Sequence, residues 1–275
     1  MSKLYGIDVS DNQGYINWAK VKADGVQFAI LRSVRRSGNI DNQLSSNIKG
    51  CTENNIPFEF YKYTYASTEA NVRKEAKEVA GALTKYGVPK GCRVWYDIEE
   101  DSILGLGHAT VTKLYRAFKD ELAKYGYVTG LYMGMYDYNT FVNKADFKNE
   151  AKWIARYYLG YQELAFGYVP NDTYKPVADC DGWQYTSSGV VNGISGRVDM
   201  NVFYGNIVVP SVATEYYDTP EFTLIDSLNK IGVDSSFKYR KKIAAANGIN
   251  GYIGSVEQNL MMLQLLKDGK LIQAK

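Results

Sequence analysis

Histidine is almost missing from this 275-residue chain, with His108 the single example. Chemistry that needs several imidazoles is excluded, and His108, in the glycine-rich LGLGH loop with no Cys or His partner nearby, reads as an ordinary loop residue. Cysteine is scarce too. Cys51, Cys92 and Cys180 are odd in number and widely spaced, which suggests neither a disulfide framework nor a zinc site and leaves reduced, structural thiols as the default. No stretch approaches the ~20 apolar residues of a membrane span, so no membrane insertion is expected. The opening MSKLYGIDVS runs straight into a strand-like pattern without the apolar core of a signal peptide, which predicts a protein made in the cytosol. An excess of one charge is also lacking: 32 basic against 30 acidic side chains leave a net +2 and no case for nucleic acid. From Thr219 onward there are eight Lys or Arg against five Asp or Glu, a net +3 that leaves about −1 for the rest. A mildly basic tail gives only a weak pull toward anionic polymers in salt.

What is present is enough apolar material for a full core, 45% of residues. Short β-like runs recur: YGIDVS, FAILRS, FEFYKYTYA, RVWYDIE, VTGLYMG, KWIARY, GWQYT and RVDMNVFYG. Between them, EANVRKEAKEVAGALTKYG and ATVTKLYRAFKDELAKYG carry apolar residues at three- and four-residue spacing, and each stops at Tyr-Gly. Eight strands alternating with helices predict an α/β fold, a TIM-like (β/α) barrel over residues 1–207. The late connection YLGYQELAFGYVPNDTYKPVADCDG has no helical period, so the barrel should be irregular, with some helices missing. IVVPSVATEYYDTP then loses periodicity and carries two prolines, which marks a linker at 208–218. Residues 219–275 read as a small, mainly helical domain. Thr219 and Pro220 suit an N-cap and N1, with Phe222, Ile225, Leu228 and Ile231 recurring every three residues. A second helix covers FKYRKKIAAANG, and a third starts at a Ser255/Gln258 capping box and runs to Gly269. At fewer than about 60 residues such a domain is marginal alone, and docking or self-association would complete its core.

The chemistry centres on VWYDIEED, an apolar strand ending in carboxylates. Side chains two apart share a strand face, so Asp97 and Glu99 point the same way with Cα atoms roughly 6–7 Å apart. Two acids so placed raise at least one pKa, as a glycosidase requires: one carboxyl protonated, the other ionised. Asp-x-Glu alone is common, however, and a solvated strand end is the plainer reading. Glu100 and Asp101 belong to the loop. Other strand ends offer partners at the end where barrel enzymes keep their sites: Asp8, Asp199, Gln184 beside Tyr185, and Trp153 with Arg156 in KWIARY. Tyr61, Tyr63 and Tyr65 share a face with Glu59 by alternation, and Tyr132 lies on VTGLYMG. Tyrosines suit a sugar groove, because an apolar ring stacks while its hydroxyl bonds, although each singly is more often core. Arg32, ending FAILRS, reads as a partner for a structural carboxylate or as a binder of an acidic ligand group.

YGIDVSDNQGYINW, VWYDIEE, YGYVTGLYMGMYDYN, KWIARY and GWQYTSSGVVNGISGRVDMNVFYG, in this order over residues 4–205, are similar to the glycoside hydrolase family 25 lysozymes. Five blocks in register are far more specific than any one motif. The resemblance implies an irregular β/α barrel that hydrolyses the β-1,4 bond from N-acetylmuramic acid to N-acetylglucosamine in bacterial peptidoglycan. It also implies Glu99 as general acid, Asp97 as the carboxylate supporting the reacting centre, Asp8 and Asp199 as flanking acids, and no metal or organic cofactor. The tail is only faintly similar to wall-binding repeats of lysins, with peptidoglycan or anionic wall polymers as its ligand. A barrel with such a tail and no leader resembles a bacteriophage endolysin, held in the host bacterial cytoplasm until lysis and then released to the wall. Two competing readings are a non-catalytic carbohydrate-binding barrel and a nucleic-acid helix presenting Lys238, Arg240, Lys241 and Lys242.

Overall fold

A computed structural model describes residues 3–205, 223–267 and 270–274. Strands β1 (Lys3–Val9), β2 (Phe28–Arg32), β3 (Phe58–Tyr63), β4 (Arg93–Asp97), β5 (Val128–Gly134) and β6 (Lys152–Ala155) pair in parallel in sequence order. β8 (Gly182–Val190) joins β6 in parallel, and β9 (Val198–Tyr204) lies antiparallel between β8 and β1. Eight strands thus close into a barrel, while the two-residue β7 (Leu164–Ala165) pairs with β8 outside the ring. Helices α1 (Trp18–Ala23), α2 (Leu44–Glu53), α3 (Glu69–Lys85), α4 (Asp101–Leu104), α5 (His108–Ala123) and α6 (Met135–Phe141) follow the early strands. Between β6 and β8 the chain makes only β7 and a 3-10 turn at Asp172–Tyr174, so the expected loss of helices falls where the helical period fails.

The parallel strands are apolar on both faces because helices cover them outside and side chains fill them inside. Outside, Val72, Ala76, Val79 and Leu83 of α3 and Val111, Leu114, Phe118 and Leu122 of α5 are buried, and Tyr96 stacks on Phe118 at 3.9 Å between centroids. Inside, Phe28, Ile30, Trp95, Tyr132, Trp153, Ala155 and Phe203 form a separate cluster. Trp95 meets Trp153 and Phe203 edge-on at 5.9 and 5.5 Å. Room for these rings comes from glycines: a Cβ on Gly130 would sit 2.5 Å from the Trp95 ring, and one on Gly182 2.4 Å from Phe203. This aromatic plug closes the barrel, so a ligand site remains only above it, beyond the strands' carboxyl ends. Cys51, Cys92 and Cys180 are free and buried.

By contacts the chain divides into two units, Met1–Val212 and Ala213–Lys275. The expected linker at 208–218 and the Thr219/Pro220 helix start lie outside the described residues. In the second unit α7 (Leu224–Lys230) is capped by Thr223, whose hydroxyl accepts from the Asp226 amide. Leu224 and Leu228 are its buried apolar residues, while Ile225 and Ile231 are exposed, so the helix follows the 3.6-residue period and not the three-residue recurrence. α8 (Phe237–Ala246) and α9 (Val256–Lys267) complete the helices, α9 with the Ser255/Gln258 capping box formed. Ile243, Ala244, Tyr252, Met262 and Leu263 complete the core with α7. Arg240 belongs to that core: its guanidinium donates to the Tyr252 hydroxyl at 2.7 Å, Asn259 Oδ1 at 3.0 Å and the Ser235 carbonyl at 3.0 Å. A basic face built on Arg240 is therefore not formed. Among the described residues no helix is long and apolar enough to cross a membrane.

Candidate active site

Above the plug a cavity of about 490 Å³ opens, lined from β1 by Asp8, from β3 by Tyr61 and Tyr63, from the end of β4 by Asp97 and Glu99, and from β9 by Asp199. Tyr65, Tyr132, Trp153 and Gln184 line it as well. Parallel pairing carries on past the formal end of β4: the Thr64 amide donates to the Asp97 carbonyl at 2.9 Å and the Ile98 amide to the Tyr132 carbonyl at 3.1 Å. That continued ladder keeps the two-residue alternation, so Asp97 and Glu99 both face the cavity while Ile98 is buried between them.

The acids are held by amides and rings. Gln184 Nε2 donates to Asp8 Oδ1 at 2.9 Å and to Asp199 Oδ2 at 3.3 Å, while its Oε1 accepts from the Tyr132 and Tyr157 hydroxyls at 2.6 and 2.5 Å. Asn201 Nδ2 donates to Asp8 Oδ1 at 2.8 Å and is itself oriented by Trp153 Nε1, also at 2.8 Å. Both amides that donate to Asp8 are thus themselves fixed. Asp97 differs: it is buried, and its Oδ1 has no hydrogen-bond partner among the described residues.

Burial and mutual repulsion set the titration. Burial pushes Asp97 well above the usual carboxylate range, reinforced by Glu99 and Asp8 and opposed by Lys62. Burial, then the charges of Asp137 and Asp8, bring the half-buried Glu99 up to about 7. Asp8 rises to about 6 through burial, against the bonds from Asn201 and Gln184, and Asp199 is held well above its ordinary value by burial and then by Asp8. Four carboxyls so close in a poorly solvated space do not all ionise at neutral pH. The site therefore holds a proton near neutrality, and Glu99, brought up to about 7, is placed to carry it.

Of the residues expected from the sequence, Arg156, Glu59 and Tyr185 are not among those that line the cavity. On β6 the inward positions are Trp153 and Ala155, and Arg156 falls on the opposite phase with Ile154. Its guanidinium donates to the Tyr174 carbonyl at 2.8 Å and lies over that ring. Glu59, on the phase of Tyr61 and Tyr63, sits lower and accepts from Trp95 Nε1 at 2.6 Å. Arg32 is structural, engaging Asp41 and Asp11. Missed were Tyr157, Asn201, Asp11, Asn12, Arg35 and Arg36. Alternation from Trp153 and from Asp199 would have found Tyr157 and Asn201, whereas Asp11 and Asn12 lie on a short 3-10 turn and Arg35 and Arg36 on a tight turn, neither long enough to show a period.

Residues 7–194 match the family model described as Glycosyl hydrolases family 25. The autolytic lysozyme of Clostridium acetobutylicum is 26% identical over 209 residues, which are 75% of this chain and 57% of that protein, so the chain spans little more than half of this relative. Among solved structures, the modular autolysin LytC from Streptococcus pneumoniae, in complex with a synthetic peptidoglycan ligand, matches with 28% identity and a TM-score of 0.60 over 74% of this chain and 47% of that one. The catalytic domain of endolysin ply40 from bacteriophage P40 of Listeria monocytogenes matches with 26% identity and a TM-score of 0.59, over 75% and 95%. A separate short match, 43% identical over 53 residues, is to the L-alanyl-D-glutamate peptidase of Listeria phage A118 and covers 19% of each chain. The strand order, the acid-lined cavity at the strands' carboxyl ends and the match over residues 7–194 together make this chain a member of glycosyl hydrolases family 25.

Proposed function

We propose that the chain is a muramidase, hydrolysing the β-1,4 bond from N-acetylmuramic acid to N-acetylglucosamine in peptidoglycan. The observation that carries this reading is Glu99, a cavity acid brought up to about 7 among three further carboxyls. In this scheme Glu99 protonates the glycosidic oxygen, and Asp97, in its ionised form, stabilises the positive charge that develops at the anomeric carbon. Asp97 Oδ1, buried and without a hydrogen-bond partner among the described residues, is an unmet acceptor beside Glu99, which supports the assignment. Gln184 and Asn201 hold Asp8, and with it the flank of the site. Attack comes from the substrate's own 2-acetamido oxygen or from water, and NMR of the first-formed product anomer separates them: an inverted anomer excludes substrate assistance. Mass spectrometry of fragments released from purified peptidoglycan tests the bond. Reducing ends on muramic acid support the reading, and reducing ends on glucosamine, or freed peptides, sink it.

The second unit is assigned to wall targeting, within an endolysin released from the host cytoplasm at lysis. It has its own hydrophobic core. A 53-residue stretch shared with a peptidase, which cuts a different bond, is of a size with this unit and suits a function other than bond cleavage.

A further inference from the structure

Three arginines stand at one wall of the acidic cavity: Arg32, Arg35 and Arg36. Two are neutralised. Arg32 engages Asp41 and Asp11, and Arg35 Nε lies 3.5 Å from Asp11 Oδ2. Arg36 is exposed and, among the described residues, makes no ion pair. It is nevertheless held in place. Its guanidinium carbon lies 4.2 Å from the centroid of Tyr65, whose ring packs on Tyr63 at 4.8 Å, and the Tyr63 hydroxyl donates to Glu100 Oε1 at 2.9 Å. The loop carrying it is a closed turn: Val34 bridges Ile40, the Arg35 amide donates to the Asn39 carbonyl at 2.8 Å, and Gly38 takes the positive φ of 82° that closes it. The Arg35 carbonyl accepts from the buried Lys62 at 3.4 Å, tying the turn to the barrel wall.

A cation kept unpaired and pre-oriented beside a cavity of carboxyls has a chemical use if the substrate is an anion. Within the muramidase reading, on which this inference rests, the sugars are neutral and the substrate's acidic groups all sit on the lactyl arm of muramic acid and its stem peptide. The ionised members of the acidic cluster would repel such an arm, and the protonated ones offer no counter-charge, whereas Arg36 is the group placed to receive it. We propose that Arg36, laid over Tyr65 at the cavity mouth, is a carboxylate-binding arm that takes an acidic group of the stem peptide and so favours peptide-bearing glycan. A planar guanidinium meets a carboxylate with two parallel hydrogen bonds, and stacking on Tyr65 lowers the ordering cost. The arm lies away from the reacting bond, so its effect falls on KM more than on kcat.

The test uses the full chain and three soluble glycan substrates: one with native stem peptides, one with the stem carboxyls converted to neutral amides, and one stripped of peptide to the bare lactyl carboxylate. Wild type should prefer native over amidated stems by about three- to tenfold, chiefly through KM and less at high salt. In Arg36→Gln that preference should shrink toward one, with Arg36→Lys between. Equal wild-type efficiency on native and stripped glycan would overturn the stem peptide as source and assign the arm to the lactyl carboxylate. Calorimetric binding of the native fragment to Glu99→Gln, with and without Arg36→Gln, reads the arm without turnover. Equal affinity of the two variants, or an unchanged preference in Arg36→Gln, overturns the proposal. Arg36-dependent binding with no glycan cleavage by wild type overturns the muramidase reading instead and leaves the arm standing.

Discussion

Asp8 and Asp199 face each other as direct partners across the antiparallel β1–β9 ladder, and one amide, Gln184 Nε2, donates to both carboxyls. Burial raises the pKa of both and Asp8 raises that of Asp199 further, whereas the hydrogen bond with Asp199 lowers that of Asp8, so the pair retains a proton where isolated carboxylates would have lost it. Replacing Asp8 or Asp199 with Asn should lower kcat/KM less than replacing Glu99 does, because the pair flanks the reacting groups. An Asp199→Asn defect larger than that of Glu99→Gln would reverse the roles. Asp8 also carries a stability signature. Its folded pKa of about 6 lies above the unfolded ~3.9, so ionisation costs stability increasingly between about pH 4 and pH 6. Asp8→Asn should therefore gain in Tm relative to wild type from pH 4 to pH 7, read by thermal unfolding at both.

Glu99→Gln keeps the shape and removes the proton. A loss of at least the ~100-fold typical of general-acid catalysis is expected on soluble glycan, with unchanged circular dichroism. Wild-type kcat/KM should fall as pH rises through about 7, where Glu99 ionises, and the residual activity of the variant should lack that limb. Asp97→Asn should also be severely impaired, because the developing cation loses its nearest charge where water screens poorly. Near-normal lysis by either variant refutes its assignment.

Lys62 lies on the outward phase of β3, buried, with its Nζ 3.4 Å from Glu75 Oε1, and its charge opposes the rise in the Asp97 pKa. Lys62→Met leaves Glu75 with hydrogen bonds from the Thr64 and Tyr96 hydroxyls and the Tyr65 amide but without the Lys62 charge. Breaking a buried pair from one side costs about 3–5 kcal/mol, measurable as a lower urea midpoint. Asp97 should also ionise at higher pH, moving the acidic limb of kcat/KM upward. A variant of wild-type stability would show that the Lys62–Glu75 pair contributes nothing to folding.

Gly130 tests the aromatic plug. An added methyl would sit 2.5 Å from the Trp95 ring in a cluster with no slack, so Gly130→Ala should cost about 1–3 kcal/mol. Displacing Trp95 also disturbs its bond to Glu59. Equilibrium unfolding followed by tryptophan fluorescence gives the number, and an unchanged midpoint would mean that the floor of the cavity yields.

A chain ending near Asn206 keeps every strand and acid of the barrel, so it should fold and cleave soluble fragments. Tethering to an insoluble wall raises local concentration, a gain that reaches ~10²-fold without a new contact at the active site. Truncation should therefore depress lysis of intact cells far more than cleavage of soluble fragments, and a fluorescent fusion of residues 213–275 should coat susceptible walls. A fusion that does not bind, together with a truncated barrel inactive on soluble fragments, refutes targeting.

Where a repeating period governs the chain, the sequence alone determined the outcome. Short recurring β-like runs marked the eight strands of the closed barrel, and the two long amphipathic segments became α3 and α5. The two-residue spacing of Asp97 and Glu99 carried over to the cavity because the parallel ladder continues past β4. Phase errors were local: Arg156 is one residue from the inward position, and Ile231 lies off the buried stripe of α7. Other features belonged to tertiary structure alone. Asp8 meets Asp199 only when the first and last barrel strands close the ring, Lys62 is buried because α3 brings Glu75 to it, and Arg36 reaches the cavity mouth on a turn with no period. Periodicity assigns a side chain to a face, but the neighbours across that face come from strands and helices distant in sequence, and their shared burial and charge set the pKa values that make the carboxyls useful.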